Sequence, residues 1–425
     1  MFDELTFDWL TICLGAQSSE AKAIQLGGLR DEEWSCVFDL AVQYGVAPLL
    51  YDQLKQLCGI LAIPKPILER SRGAYLANAA RNMRTTYELG LIIRALVRDA
   101  VSVVALKGAH LAGNIYPDIA LRSIGSDVDL LVSSADLTRA CAALRGLGYE
   151  PCEGDDLDEE WQAKKNITLM GPPGVTPIEL HWTIEHPSDA VRVDLEGLWL
   201  RAKPSSVAGC EVLGFAPEDL LLHLCLEGTY HHGNWFRMAF RPLCDIVAII
   251  QHAGERMEWQ EVEARARQWR AENLIHLALW LARRWLAAPI PEEVLFSLRP
   301  EGFDEDTVAM AKELVFLQSL VPAAGSSMPW KLAQIGGQRP WADKIKIVLG
   351  AVFPPRRQIA SIYGVPPDSV RSYFYSLLHP ISLACRHAPA AWGLVFRKRE
   401  SAAGTEEINA LIQLKERMSS KSLLR

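Results

Sequence analysis

The nine cysteines of this chain include no CxxC pair; they fall singly at 13, 36, 58, 141, 152, 210, 225, 244 and 385. That scatter argues against a disulfide frame or a zinc module and predicts reduced, mostly buried thiols in a cytoplasmic protein. Uncharged apolar runs of membrane-spanning length are also missing. The nearest, SYFYSLLHPISLAC (372–385), is too short, carries a proline and reads as part of a buried helix pair. The opening MFDELTFDWL is acidic and lacks the basic start of a secretion signal. No excess of positive charge exists: the formal net charge is -7, which speaks against broad nucleic-acid binding. P-loop and protein-kinase motifs are absent, and no internal repeat is evident.

What remains is the composition of a globular protein. Of 425 residues, 49% are hydrophobic and 22% charged, enough apolar material for a real core and for two or three domains. Residues 1–100 read as helical. The stretch 31–54 has apolar residues at helical spacing with Asp31 as its cap, and 67–100 is one long periodic run in which Gly73 and Gly90 mark candidate kinks. Then the period changes. SVVAL (102–106) is a buried strand, KGAHLAGNIY (107–116) a turn into a short helix, and SDVDLLVS a second strand. SADLTRACAALRGLG (134–148) is an amphipathic helix with a glycine stop, and NITLM (166–170) and TPIELHWTI (176–184) form a hairpin around GPPG. Residues 101–185 therefore predict β-α-β-α-β-β inside a mostly helical α+β protein. The expected divisions are a helical region over 1–100, a small mixed-sheet core over 101–205, a helical domain packed on the active site over 206–300 and a helical region over 301–425. Residues 153–162 read as an acidic loop.

The chemistry concentrates at the head of the second strand. Asp127 and Asp129 are one residue apart, so they share a face, about 6–7 Å apart along the backbone. Val128, Leu130 and Val132 take the other face, into the core. Two carboxylates about 4 Å apart repel by about 4 kcal/mol at an effective dielectric near 20. A hard divalent cation between them, such as Mg²⁺ or Mn²⁺, removes that cost; a solvent-facing strand end also tolerates it. Upstream, Lys107 and Gly108 sit at a strand-to-helix turn, where free N–H groups and a lysine suit phosphate; an ordinary turn with a surface lysine is the bland alternative. Glu179 and His181 share a face of the last strand, with Glu179 a third acidic candidate and His181 a structural or supporting histidine. Such an acidic set can hold metal ions that bridge the phosphates of a nucleoside triphosphate.

These residues carry a resemblance. Leu106-Lys107-Gly108, Arg122, Asp127-Val128-Asp129-Leu130, Leu147-Gly148-Tyr149 and Glu179-Leu180-His181-Trp182, in this order, resemble the core of the bacterial uncharacterised nucleotidyltransferase family, a branch of the DNA polymerase beta-like nucleotidyltransferase superfamily. The likeness covers about residues 30–250 well and the last third loosely. It departs from the wider superfamily in having Ala109 after Gly108, a longer spacing to Asp127, and glutamate as the third acid; Gly125-Ser126 could supply part of the phosphate loop.

The resemblance implies a nucleotidyltransferase-fold core and a Mg²⁺-dependent (or Mn²⁺-dependent) enzyme, with ATP or another nucleoside triphosphate as donor. The acceptor would be an unknown sugar, peptide or protein hydroxyl. Asp127, Asp129 and Glu179 would be catalytic and metal-binding. Lys107, Gly108, Arg122 and Ser126 would hold nucleotide, with Arg122 alternatively anchoring the Asp127 loop. His181, His223 and Arg241 would support the site. His223 shares a helix face with Glu227, and Asp245 is a candidate partner of Arg237 and Arg241. Two other classes stand beside this one: a catalytically silent nucleotide-binding or antitoxin-like protein, and a kinase-type phosphotransferase or metal-dependent hydrolase.

Overall fold

The computed structural model describes residues 4–152, 164–185, 191–231, 234–235, 240–304, 306–309 and 311–312. The acidic loop, His232, Arg237 and the elements expected over 313–425 lie outside the described residues. Residues 1–152 and 156–303 form one compact unit. Its architecture is α+β, mostly helical, around one mixed seven-stranded sheet.

Five helices precede the sheet: α1 (Glu4–Leu14), α2 (Ser19–Leu26), α3 (Asp31–Gln43), α4 (Ala47–Leu57) and α5 (Lys65–Arg98). The helical run expected over 31–54 is split in two, because Gly45 takes φ +69 and turns the chain between α3 and α4. Asp31 is the first helical residue rather than the cap. Arg30 caps, and its N–H donates to Glu33 Oε2 at 2.7 Å. α5 runs unbroken through both of its glycines. Gly90 serves packing instead: a Cβ there would lie 3.3 Å from the Ala208 carbonyl oxygen.

The sheet is built from β1 (Val103–Ala105), β2 (Val128–Val132), β3 (Glu150–Pro151), β4 (Asn166–Met170), β5 (Ile178–His181), β6 (Lys203–Val207) and β7 (Cys210–Gly214), in spatial order β3-β4-β5-β2-β1-β7-β6. Helices α6 (Lys107–Asn114), α7 (Leu137–Arg145) and α8 (Leu195–Arg201) connect its strands. β2 runs parallel to β5 and β1 parallel to β7; the other pairs are antiparallel. The predicted order over 101–185 is present, with the short β3 added. The β6–β7 hairpin was not expected. It closes through Ala208 (φ +54) and Gly209 (φ +72), the two left-handed residues that a tight hairpin turn requires. The boundary expected at residue 205 falls inside β6.

One face of the sheet is core. Val128, Leu130 and Val132 of β2 and Ile178 and Leu180 of β5 join Ile92 and Leu96 of α5 and Leu144 of α7 in a single apolar cluster. Each aliphatic side chain buried there contributes about 1.5–3 kcal/mol. The alternate residues, Asp129, Glu179 and His181, therefore point to the opposite face.

After the sheet come α9 (Pro217–Thr229), the two-stranded ribbon of β8 (Tyr230–His231) and β9 (Asn234–Trp235), and then α10 (Phe240–Ala253), α11 (Trp259–Gln268), α12 (Glu272–Leu286) and α13 (Glu292–Ser297). Phe7 of α1 packs edge-on against Phe240 of α10 at 5.6 Å and Trp285 of α12 at 5.2 Å between ring centroids. Edge-to-face pairs of this kind add about 0.5–1.5 kcal/mol each, and this cluster seats α10, which carries Arg241 and Asp245. Among the described residues no disulfide forms; Cys13, Cys141, Cys225 and Cys244 are buried thiols, while Cys36 and Cys58 are exposed. No described helix is long and apolar enough to cross a membrane.

Candidate active site

The parallel register of β2 and β5 sets Asp129 opposite Glu179 and Leu131 opposite His181. Three polar side chains thereby converge on the sheet face away from the core. His181 Nε2 lies 3.0 Å from Asp129 Oδ1 and 3.4 Å from Glu179 Oε2. Asp129 and His181 are buried, and Glu179 is half-buried. One donor atom from each of the three falls within 4.8 Å of the others, the one such cluster among the described residues. Asp127, just before β2 and half-buried, is not part of this trio.

A buried carboxylate needs compensation, and Lys107 supplies it. Its Nζ lies 2.8 Å from Asp129 Oδ1 and 3.3 Å from Glu227 Oε2 on α9. Lys107 opens α6 with φ +44, a left-handed conformation unusual for a side chain that is not glycine. The backbone strain points the ammonium at the carboxylates, and strain of this kind concentrates at functional sites. The next residue is glycine for a packing reason. A Cβ on Gly108 would lie 2.0 Å from the Ile124 carbonyl oxygen, so the loop before Asp127 occupies the space over its Cα.

That loop is held from three sides. Asn78 Nδ2 on α5 donates to the Ala120 carbonyl at 2.8 Å. Asn82 donates to the Ile119 and Arg122 carbonyls at 2.6 and 2.7 Å and accepts from the Ile124 N–H at 3.0 Å. Tyr75 donates to Asp118, which caps the Ala120 N–H at 2.8 Å. Arg122 is buried and forks onto Asp245 of α10 through Nε–Oδ1 and Nη2–Oδ2 contacts of 2.8 Å each, and Tyr116 donates its hydroxyl to the same carboxylate at 2.8 Å. Asp245 is thus the partner of Arg122, where the sequence suggested Arg241. The loop ends at Gly125, whose φ of +133 suits glycine, followed by an exposed Ser126.

Arg241 is left beside this pair. Its Nε is buried and has no hydrogen-bond partner among the described residues. The neighbouring Arg122 charge, then burial, lowers its pKa, while Asp245, Tyr116 and Asp127 pull the other way. Arg241 thus feels the charges of this pair without an ion pair of its own among the described residues.

The same accounting explains the carboxylates. Burial, then the charges of Asp129 and Glu179, raises the pKa of Asp127. Burial also works to raise that of Asp129, but the hydrogen bond to His181 and the Lys107 charge hold it well below the usual carboxylate range. The His181 hydrogen bond lowers Glu179. Burial opposes the charge on Lys107, yet Glu227 and Asp129 more than offset it and its pKa is raised. For His181, burial is outweighed by Asp129 and Glu179 and the pKa goes up. His223, one turn before Glu227 on α9, is fully buried, packs edge-on to Phe215 and has no partner for either ring nitrogen among the described residues; burial drops its pKa to about 4, so it stays neutral. Asn78 and Asn82 were not picked out by sequence, and Glu227 was noted only beside His223, as a conceivable metal pair. Glu227 shares its helix face with His223, which was the available signal; the two asparagines sit mid-helix and gave none.

The uncharacterised nucleotidyltransferase family matches residues 30–287, from α3 through α12. The chain belongs to this family. The match takes in every residue of the cluster, the Arg122–Asp245 clamp and the helices that carry them, and membership makes nucleotidyl transfer its class of activity. Among curated proteins none matches the chain. An antigenic nucleotidyltransferase-like protein from Paracoccidioides brasiliensis is similar at 16% identity, over 50% of this chain and 96% of that one. The TM-score is 0.28, a level of superposition that carries no weight for fold or function.

The cluster also fits a divalent cation. Donors coordinated at about 2.1 Å and at right angles to one another stand about 3.0 Å apart, and the observed separations from His181 to its two carboxylates are 3.0 and 3.4 Å.

Proposed function

We propose that the protein is a metal-dependent nucleotidyltransferase of the DNA polymerase beta-like type, moving a nucleotidyl group from a nucleoside triphosphate to an acceptor hydroxyl. The observation that carries this is the placement of Asp129 opposite Glu179 on adjacent parallel strands, with Lys107 closing the carboxylates from the helix side. A bound Mg²⁺ or Mn²⁺ would neutralise the phosphates and polarise the phosphorus under attack.

Asp129 and Glu179 would hold that ion, with Asp127 completing the acidic set. Lys107 would leave Asp129 for the triphosphate, because its ammonium already spans to Glu227 and needs only to shift between anionic partners. Arg241, without an ion pair among the described residues, would meet the outer phosphates; Arg122 would hold the loop through Asp245 rather than bind nucleotide itself. The acceptor oxygen forms a bond to the α-phosphorus as the α–β bridging bond breaks. Pyrophosphate carries off the leaving electron pair, and the acceptor proton goes to Asp127 at the half-exposed edge of the cluster. Sugars, peptides and protein hydroxyls all fit that step.

The test is thermal unfolding with Mg²⁺ or Mn²⁺ and each of the four nucleoside triphosphates. Ligand at about a hundred times its dissociation constant adds about 2.7 kcal/mol. A metal-dependent shift for at least one nucleotide, lost in Asp129→Asn and in the more conservatively placed Asp127→Asn, is the expected result. Folded proteins that give no shift with any nucleotide refute the proposal and favour the silent binding class. Release of a nucleoside diphosphate instead of pyrophosphate would move the assignment to a kinase.

A further inference from the structure

His181 occupies a position that a purely structural histidine does not need. Its Nε2 is within 3.4 Å of both Asp129 and Glu179, and the side chain is 2% exposed. Nδ1 is buried with no partner among the described residues, while Nε2 donates its proton toward the two carboxylates; a cation bound among the three would take that proton's place. The sheet sets the geometry. Glu179 and His181 are two residues apart on β5, and their register against Asp129 and Leu131 changes only if β2 and β5 slip. Donors on strands hold their spacing better than donors on loops.

We infer that His181 Nε2 is a direct metal ligand beside Asp129 and Glu179, and that the site therefore prefers Mn²⁺ to Mg²⁺. This rests on the metal-dependent reading above and adds one of the ion's ligands and the ranking of Mn²⁺ over Mg²⁺. Mg²⁺ favours an all-oxygen shell and sheds water reluctantly, whereas imidazole nitrogen suits first-row transition ions. A mixed set of two carboxylates and one imidazole shifts selectivity toward Mn²⁺ without requiring any other change in the site.

The experiment uses the full chain and Mn²⁺ alone, without nucleotide. Pulsed electron paramagnetic resonance of bound Mn²⁺ reads directly coordinated nitrogen. Protein labelled with ¹⁵N-histidine identifies that nitrogen as imidazole without any substitution. The expected result is a nitrogen coupling that changes with the label, and Mg²⁺ displacing Mn²⁺ only at tenfold or greater excess. His181→Gln should remove the coupling and bring the two ions to within a few-fold of each other. Bound Mn²⁺ with no imidazole coupling, or Mg²⁺ competing at parity, overturns the inference while leaving a metal-dependent enzyme intact. No Mn²⁺ binding without nucleotide overturns this inference alone, because the metal-dependent reading is tested separately by the nucleotide-dependent shift.

Discussion

Replacing Arg122 with methionine tests how the Asp127 loop is held. Arg122 and Asp245 are both buried, joined by two 2.8 Å contacts, and Asp245 also accepts from Tyr116. Removing one member of a buried pair leaves an uncompensated charge and costs about 3–5 kcal/mol, a large part of the roughly 5–15 kcal/mol that keeps a typical domain folded. Two features shape the value here. Tyr116 still serves Asp245 after the substitution, and Arg241 is drawn toward the same carboxylate. Both soften the loss, so Arg122→Met should fall near about 3 kcal/mol, at the lower end. The reverse change, Asp245→Leu, strands Arg122 beside Arg241 with no counter-charge and should fall near about 5 kcal/mol. Urea unfolding followed by tryptophan fluorescence measures both. The double variant Arg122→Met/Asp245→Leu removes both charges together and should be more stable than Asp245→Leu alone. An Arg122→Met cost below about 1 kcal/mol, or a double variant no better than Asp245→Leu, would refute the clamp.

Three further outcomes follow from the same geometry. Gly108→Ala puts a methyl 2.0 Å from the Ile124 carbonyl oxygen and should cost about 1–3 kcal/mol, whereas Gly90→Ala, at 3.3 Å from Ala208, should cost less; equal midpoints in denaturant would contradict the packing argument. Lys107→Met should weaken nucleoside triphosphate binding while strengthening Mn²⁺ binding in the absence of nucleotide, because the ammonium 2.8 Å from Asp129 no longer competes; calorimetric titration showing both weakened would count against the hand-over. His276 on α12 is buried against Phe303, and burial lowers its pKa to about 4. The unfolded chain binds that proton near pH 6.5 and the folded chain only near 4, so stability is full above 6.5 and declines as pH falls through that window, by about 3 kcal/mol at most. His276→Phe should flatten that acid limb, and an unchanged slope would show that the imidazole is not buried neutral.

Much of the core was legible because it rests on local pattern. The alternation in VDLLV places Val128, Leu130 and Val132 in the core and Asp129 on the other face whatever lies next to the strand, since pleat geometry needs no partner to set the two faces. The 34-residue helix and the β4–β5 hairpin likewise follow from period and turn chemistry. The sequence also named Asp129, Glu179, His181 and Lys107 as candidates, but it grouped Asp127 with the two acids as the metal set. Only the register of β2 against β5 shows that His181 also lies within reach of both Asp129 and Glu179. The β6–β7 hairpin escaped notice because KPSSV and CEVLG carry little apolar alternation; pairing with β1 and packing under Gly90 decide it. Arg122 and Asp245 stand 123 residues apart, as Lys107 and Asp129 stand 22 apart. No periodicity spans such gaps. The chain alone determines which residues carry charge, which stripe is apolar and where the backbone can turn. Which charge neutralises which is decided by the folded sheet and its flanking helices, because burial makes an unpaired charge too costly to leave.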